Sequence, residues 1–133
     1  MTAAIDTAAG AVLVAEDRMP LGAEIRPMDD IPTVVDDSGR KLKISGSTWM
    51  DVDIGGLSTT IHAWIVPKFP VPLILGTPFI NRYVEAILPR ERSITVKTPD
   101  SRETWTVPVV TQSTSPPRAQ VTIARVKYTA ALS

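Results

Sequence analysis

The chain contains no cysteine. Disulfide scaffolds, thiol catalysis and cysteine-ligated zinc are therefore excluded. It has one histidine, His62, which excludes histidine-rich metal sites. Aromatic residues make up only 5% of the sequence, and no apolar run approaches the 18 residues a membrane-spanning helix requires. A basic stretch before an apolar one is missing at the N-terminus, so no signal peptide is expected and an intracellular, cytoplasmic setting is. There is no surplus of either charge, with 14 basic and 14 acidic residues, and a nucleic-acid coat needs a basic surplus. Neither a nucleic acid nor a membrane is expected as a partner.

What is present is 133 residues, 44% of them hydrophobic, with 12 scattered prolines. That is enough apolar material for one domain with a real core, and too much proline for long helices. Charge is unevenly divided: residues 1–66 hold 5 basic and 10 acidic groups, and residues 67–133 hold 9 and 4. Two solvated faces explain this most simply; complementary surfaces for self-association are the alternative.

The pattern along the chain is strand after strand. Residues 2–5 read as a short strand ending at Asp6, and the apolar run 11–15 as a second. Residues 19–32, with three prolines and no period, read as a loop. Thr33-Val34-Val35, a turn at Asp36-Asp37-Ser38-Gly39 and the alternating Lys41-Leu42-Lys43-Ile44 make a hairpin. A second hairpin joins 47–54 to 59–66 through Gly55-Gly56. Leu73-Ile74-Leu75 is apolar throughout, as a strand buried on both faces should be. Thr77-Pro78 reads as an N-cap and first helical residue, predicting a short helix over 78–83. A third hairpin (84–88 and 93–97), a strand at 105–110 and alternation over 120–128 follow. The expectation is an all-β domain with one short helix over residues 1–110. Residues 111–119 form a linker by composition, and 120–133 a C-terminal strand or the start of a following segment.

Two motifs carry chemistry. The first is Ala4-Ile5-Asp6-Thr7-Ala8-Ala9, a carboxylate directly after a strand and followed by small residues that let another backbone approach. The second is Ile74-Leu75-Gly76 followed by Thr77-Pro78-Phe79-Ile80-Asn81-Arg82-Tyr83. Together they resemble the retropepsin-like aspartic proteases of retroviruses and long-terminal-repeat retrotransposons. That family's active-site loop reads apolar-apolar-Asp-Thr/Ser-Gly-Ala, and an apolar-apolar-Gly triplet precedes its short helix. The resemblance covers residues 3–110 in the family's order. It implies a closed β-barrel, an obligate homodimer, a polypeptide substrate, no cofactor and no metal. It also implies cleavage of peptide bonds by a dyad of Asp6 from two chains, in the processing of a retroelement polyprotein. Asp6 would be the catalytic residue, Thr7, Ala8 and Ala9 would complete its loop, and Thr7 would bond across the dimer. Asp37, Ser38 and Gly39 would form the tip of a flap closing over substrate. Ala8 stands where the family has glycine. The family also has a strand hairpin before the loop, where five residues precede Asp6 here. Residues 121–128 have the alternation to fill that place. A catalytically inactive dimerisation or peptide-binding module is the alternative.

The remaining candidates have simpler readings. Asp51 and Asp53 suit a cation site, but strand alternation accounts for them. His62 has no Gly-x-Ser-x-Gly partner motif for hydrolase chemistry. Trp49, Trp64 and Trp105 read as core or rim residues.

Overall fold

A computed structural model describes residues 1–27, 30–36, 38–100, 102–114 and 117–130. Among the described residues ten strands, one 3-10 turn (Glu16–Arg18, after β2) and one α-helix follow one another: β1 (Thr2–Ile5), β2 (Leu13–Ala15), β3 (Gly46–Ile54), β4 (Leu57–Val66), β5 (Leu73–Leu75), α1 (Thr77–Tyr83), β6 (Val84–Leu88), β7 (Ser93–Lys97), β8 (Thr104–Thr114), β9 (Pro117–Thr122) and β10 (Arg125–Tyr128). No helix among the described residues is long and apolar enough to cross a membrane.

The strands form one sheet in the order β10-β3-β4-β2-β5-β1-β9-β8-β7-β6. The closed barrel expected from the sequence is not formed: β10 and β6 end the sheet and do not pair with each other. Instead the sheet curls. Met50, Val52 and Ile54 of β3 share one buried cluster with Ile94 and Val96 of β7 and Val107 of β8, although five strands separate β3 from β8. Side-chain packing joins the two ends where hydrogen bonds do not. The β3–β4 turn shows how tight this is, since Gly56 lies directly beneath the Trp105 indole, with no room for a Cβ.

The central strands β1, β2 and β5 are buried on both faces, which is why their sequences are apolar without alternation. Ala3, Ile5, Val14, Leu73 and Leu75 face the main cluster. Ala4, Leu13 and Ile74 face a second cluster with Ala11 and Val66, over which Val34, Leu42, Trp64 and Phe69 pack. Strand β1 runs parallel to β5, with Ala4 opposite Ile74 and Ile5 opposite Leu75. On its other side it is antiparallel to β9.

Several expectations are corrected. Residues 111–114 and 117–119 are strand, not linker: β8 continues to Thr114 and pairs antiparallel with β9. Their Ser/Thr/Pro composition signals loop locally, and pairing across the sheet overrides it. The stretch 120–128 is two strands, because the chain leaves β1 at Ile123 and crosses to the far edge. The Ile123 amide donates to the Met1 carbonyl and the Ala124 amide to the Asp53 carbonyl. Strand β9, not the whole of 121–128, takes the place beside β1, so the sheet runs past residue 110. Helix α1 begins one residue early, at Thr77 with Gly76 as its N-cap, because the Phe79 and Ile80 amides both donate to the Gly76 carbonyl. Among the described residues the arms of the 33–44 hairpin meet at one bridge, Val35 opposite Lys41, with the Asp36 amide donating to the Arg40 carbonyl and the Leu42 amide to the Val34 carbonyl, and they do not extend into a strand pair.

The charge asymmetry is partly consumed within the chain. Basic β10 lies against acidic β3, with Arg125 opposite Asp53 and Lys127 opposite Asp51. The Arg125–Asp53 pair is long, 3.9 Å, and exposed, so it adds little to stability.

Gly76 is closed in by backbone, which cannot turn aside as the Trp105 side chain over Gly56 can. A Cβ at Gly76 would collide with the carbonyl oxygens of Ala9 and Ala11. Gly76→Val is expected to lose at least about 3 kcal/mol, through backbone displacement around a fully packed site. Thermal denaturation measures this, and an unchanged melting temperature would refute the close approach.

Candidate active site

Asp6 follows the last residue of β1. Its amide donates to the Leu75 carbonyl at 3.1 Å, extending the β1–β5 pairing by one bond. The chain then turns tightly: the Ala9 amide donates to the Asp6 carbonyl at 3.2 Å, and the Ala8 amide to Asp6 Oδ1 at 3.0 Å. That is the Asx-type turn for which an aspartate is suited. The Ala9 carbonyl accepts from the Thr77 amide at 2.8 Å, so the Asp6 loop is bonded to the start of α1. Gly76 lies between these contacts. The two sequence motifs, 70 residues apart, are thus one structural unit.

The carboxylate has a partner that the sequence did not reveal. Arg118 Nε donates to Asp6 Oδ2 at 2.9 Å. The two side chains are only 13% and 12% exposed. A surface pair contributes about 0–1 kcal/mol. For a pair this covered, losing one partner costs more, toward the ~3–5 kcal/mol of fully buried pairs. Arg118 lies 112 residues from Asp6, in a segment whose composition reads as linker, so no local signal marks it.

Asp6 and Arg118 lie in a cleft of about 530 Å³. Ala8, Ala9, Gly10, Ala11, Leu13 and Ile74 line it on the side of the Asp6 loop. Pro32 to Asp36 and Leu42 line it on the side of the hairpin, and Lys68, Phe69 and Pro70 complete it. The lining is largely apolar, with one ion pair within it.

The sequence-predicted residues divide as follows. Asp6, Ala8, Ala9 and Ile74 meet at the cleft; Leu75 and Gly76 lie behind it, one in the core and one at the loop contact. Thr7 is exposed beside Asp6. Ala8 takes no left-handed conformation, since Arg92 alone among the described non-glycine residues has a positive φ. Its methyl therefore costs the loop no backbone strain. Asp37 lies outside the described residues. Ser38 and Gly39 form the hairpin tip but do not line the cleft, whose wall comes from the hairpin's arms.

The tip is organised by Asp36. Its Oδ1 accepts from the Ser38 hydroxyl at 2.6 Å, the Ser38 amide at 2.9 Å and the Arg40 amide at 3.0 Å. The Ser38 hydroxyl, followed by the Arg40 amide, holds the Asp36 carboxyl below the usual carboxylate range. Gly39 completes the turn with φ +83°.

The other candidates are accounted for by the sheet. Asp51 accepts from the Thr60 hydroxyl and Asp53 from the Ser58 hydroxyl, each directly across β3–β4. No group of three His, Asp or Glu side chains converges among the described residues. His62 lies between Trp49 and Trp64, with ring centroids 4.8 and 5.2 Å away. Burial, then the charge of Arg26, lowers its pKa. Trp49 is 40% exposed and forms the outer edge of this stack, while Trp105 packs against the main core.

No protein-family model matches the chain, and no curated protein sequence does.

The hairpin tip is expected to respond to acid. A carboxylate whose folded pKa is depressed contributes order above its unfolded value and loses it as pH falls through the lower, folded one. The Ser38 and Arg40 amides should therefore lose protection below the ordinary aspartate value of 3.8, and Asp36→Asn should remove the transition. An NMR titration of those two amides checks it; signals that stay put down to pH 2, the lower end of the scan, would contradict the tip geometry.

Proposed function

We propose that the chain supplies one half of an aspartic endopeptidase of the retropepsin type, with the dyad made by Asp6 of two chains. The observation that carries this reading is the position of Asp6. It leaves a strand buried on both faces, is bonded to Leu75 beside Gly76, and opens into an apolar cleft flanked by a hairpin.

The chemistry follows from bringing two carboxylates together. At about 3 Å they cannot both carry a charge, so the pair shares one proton. The charged partner draws a proton from water as it attacks the scissile carbonyl carbon, and the protonated partner donates to the carbonyl oxygen. The resulting tetrahedral diol collapses as the amide nitrogen is protonated and leaves. No covalent intermediate forms. Thr7, exposed next to Asp6, is suited to hold the two loops together by hydrogen bonds between chains. The apolar cleft would take the peptide on either side of the cleaved bond, and the arms of the 33–44 hairpin would close along it. The processing of a retroelement polyprotein inside the cell is the role this reading suggests.

The Arg118–Asp6 ion pair favours a second reading, an inactive module of the same architecture that binds peptide or a second copy without cleaving. A carboxylate held by a guanidinium is a poor half of a dyad.

Cleavage of a mixed peptide library between pH 4 and 7, read by mass spectrometry beside Asp6→Asn, separates the two. Products that vanish with Asp6→Asn are expected; silence from a folded, dimeric protein selects the binding module. Ala8→Gly tests the loop: if the methyl crowds peptide in the cleft, the variant lowers KM severalfold, and an unchanged KM removes that role from Ala8.

A further inference from the structure

Thr2 faces Thr122 and Ile5 faces Ala119 in the β1–β9 pair. One step further along that register, Asp6 faces Arg118. Directly opposed residues in an antiparallel pair have Cβ atoms about 4.5–5.5 Å apart, which brings a guanidinium onto a carboxylate. The contact between Arg118 Nε and Asp6 Oδ2, 2.9 Å, is thus a product of strand register. With the Ala8 amide on Oδ1, both carboxylate oxygens of Asp6 are engaged inside one chain.

We propose that Arg118 is an internal latch on Asp6, which must swing aside before the Asp6 residues of two chains can act as a dyad. The proposal rests on the aspartic-dyad reading of the site. Two latched chains brought together present two ion pairs, not two carboxyl groups sharing a proton. Arginine is permanently charged and has no acceptor, so it can neither take up that proton nor replace the second carboxylate. While Nε occupies Oδ2, that oxygen already has a strong donor where the dyad would bind its water. Release does not require β9 to leave the sheet. The backbone pairing involves residues 2–5 and 119–122, so rotation about the Arg118 side-chain bonds is sufficient. Arg118 also lines the cleft, which gives the freed side chain somewhere to go. A peptide entering the cleft would compete for the same space, coupling substrate binding to release.

The test compares the unaltered chain with Arg118→Gln, Arg118→Lys and the double variant Arg118→Gln/Asp6→Asn in the peptide-library assay. Arg118→Gln keeps a hydrogen-bonding side chain without the charge, and is expected to cleave at least about tenfold faster than the unaltered chain. Arg118→Lys keeps the charge and should remain slow, and the double variant should be silent. If the unaltered chain cleaves and Arg118→Gln is no faster, the latch is overturned while the protease stands. If neither cleaves although both show intact melting transitions, the protease falls and the latch with it. A measurement on the unaltered chain guards against a variant that fails to fold. The Arg118 Nε–H resonance should shift when a hydroxyethylene peptide isostere binds. Binding of the isostere with that resonance unmoved would overturn the latch.

Discussion

The contact on which the site depends is the approach of two loops at Gly76. The Asp6 loop lays the Ala9 and Ala11 carbonyls over a residue with no side chain, and the Thr77 amide donates to the first of them. This contact exists because β1 and β5 run parallel side by side, so that both chains leave the sheet at the same end. The cleft thus opens at the carboxyl end of two short parallel strands within an otherwise largely antiparallel sheet. The small residues Ala8, Ala9 and Gly10 keep the loop thin enough to fit beneath the hairpin.

Much of this was legible in the sequence, and for physical reasons. Leu73-Ile74-Leu75 is apolar at every position because β5 has a core cluster on each face. Lys41 to Ile44 alternates because Leu42 and Ile44 pack inward beneath the hairpin while the lysines do not. Asp51 and Asp53 alternate with Met50, Val52 and Ile54 because β3 buries only one face. Asp6 stood out because an aspartate after a buried strand, followed by small residues, needs an explanation. Each of these signals is local or nearly so.

The parts that were not legible depend on distant pairing. Residues 111–119 carry serine, threonine and proline, and nothing near them in sequence favours a strand. Residues 111–114 and 117–119 are strand because they pair with β9 and β8, and β9 in turn covers the edge of β1. The pairing of Arg118 with Asp6 follows from that register, and a register is a property of two segments at once. Barrel closure failed as an expectation for the same reason. A strand pattern shows which face is buried, not whether the last strand meets the first. The charge imbalance between halves was also readable in two ways, and neither anticipated that β10 would lay part of the basic half along β3.

Strand β1 is four residues long, and both strands that flank it come from far along the chain, from residues 73–75 and 117–122. Loop closure over such separations is slow, because its entropy is lost before the contacts are gained. Residues 2–5 precede both of their strand partners, so β1 cannot be covered on both edges until residues 117–122 have been made, and until then Asp6 has no Arg118. The arginine arrives on the same strand that covers the second edge of β1, so covering that edge and supplying the Asp6 counter-ion are one event.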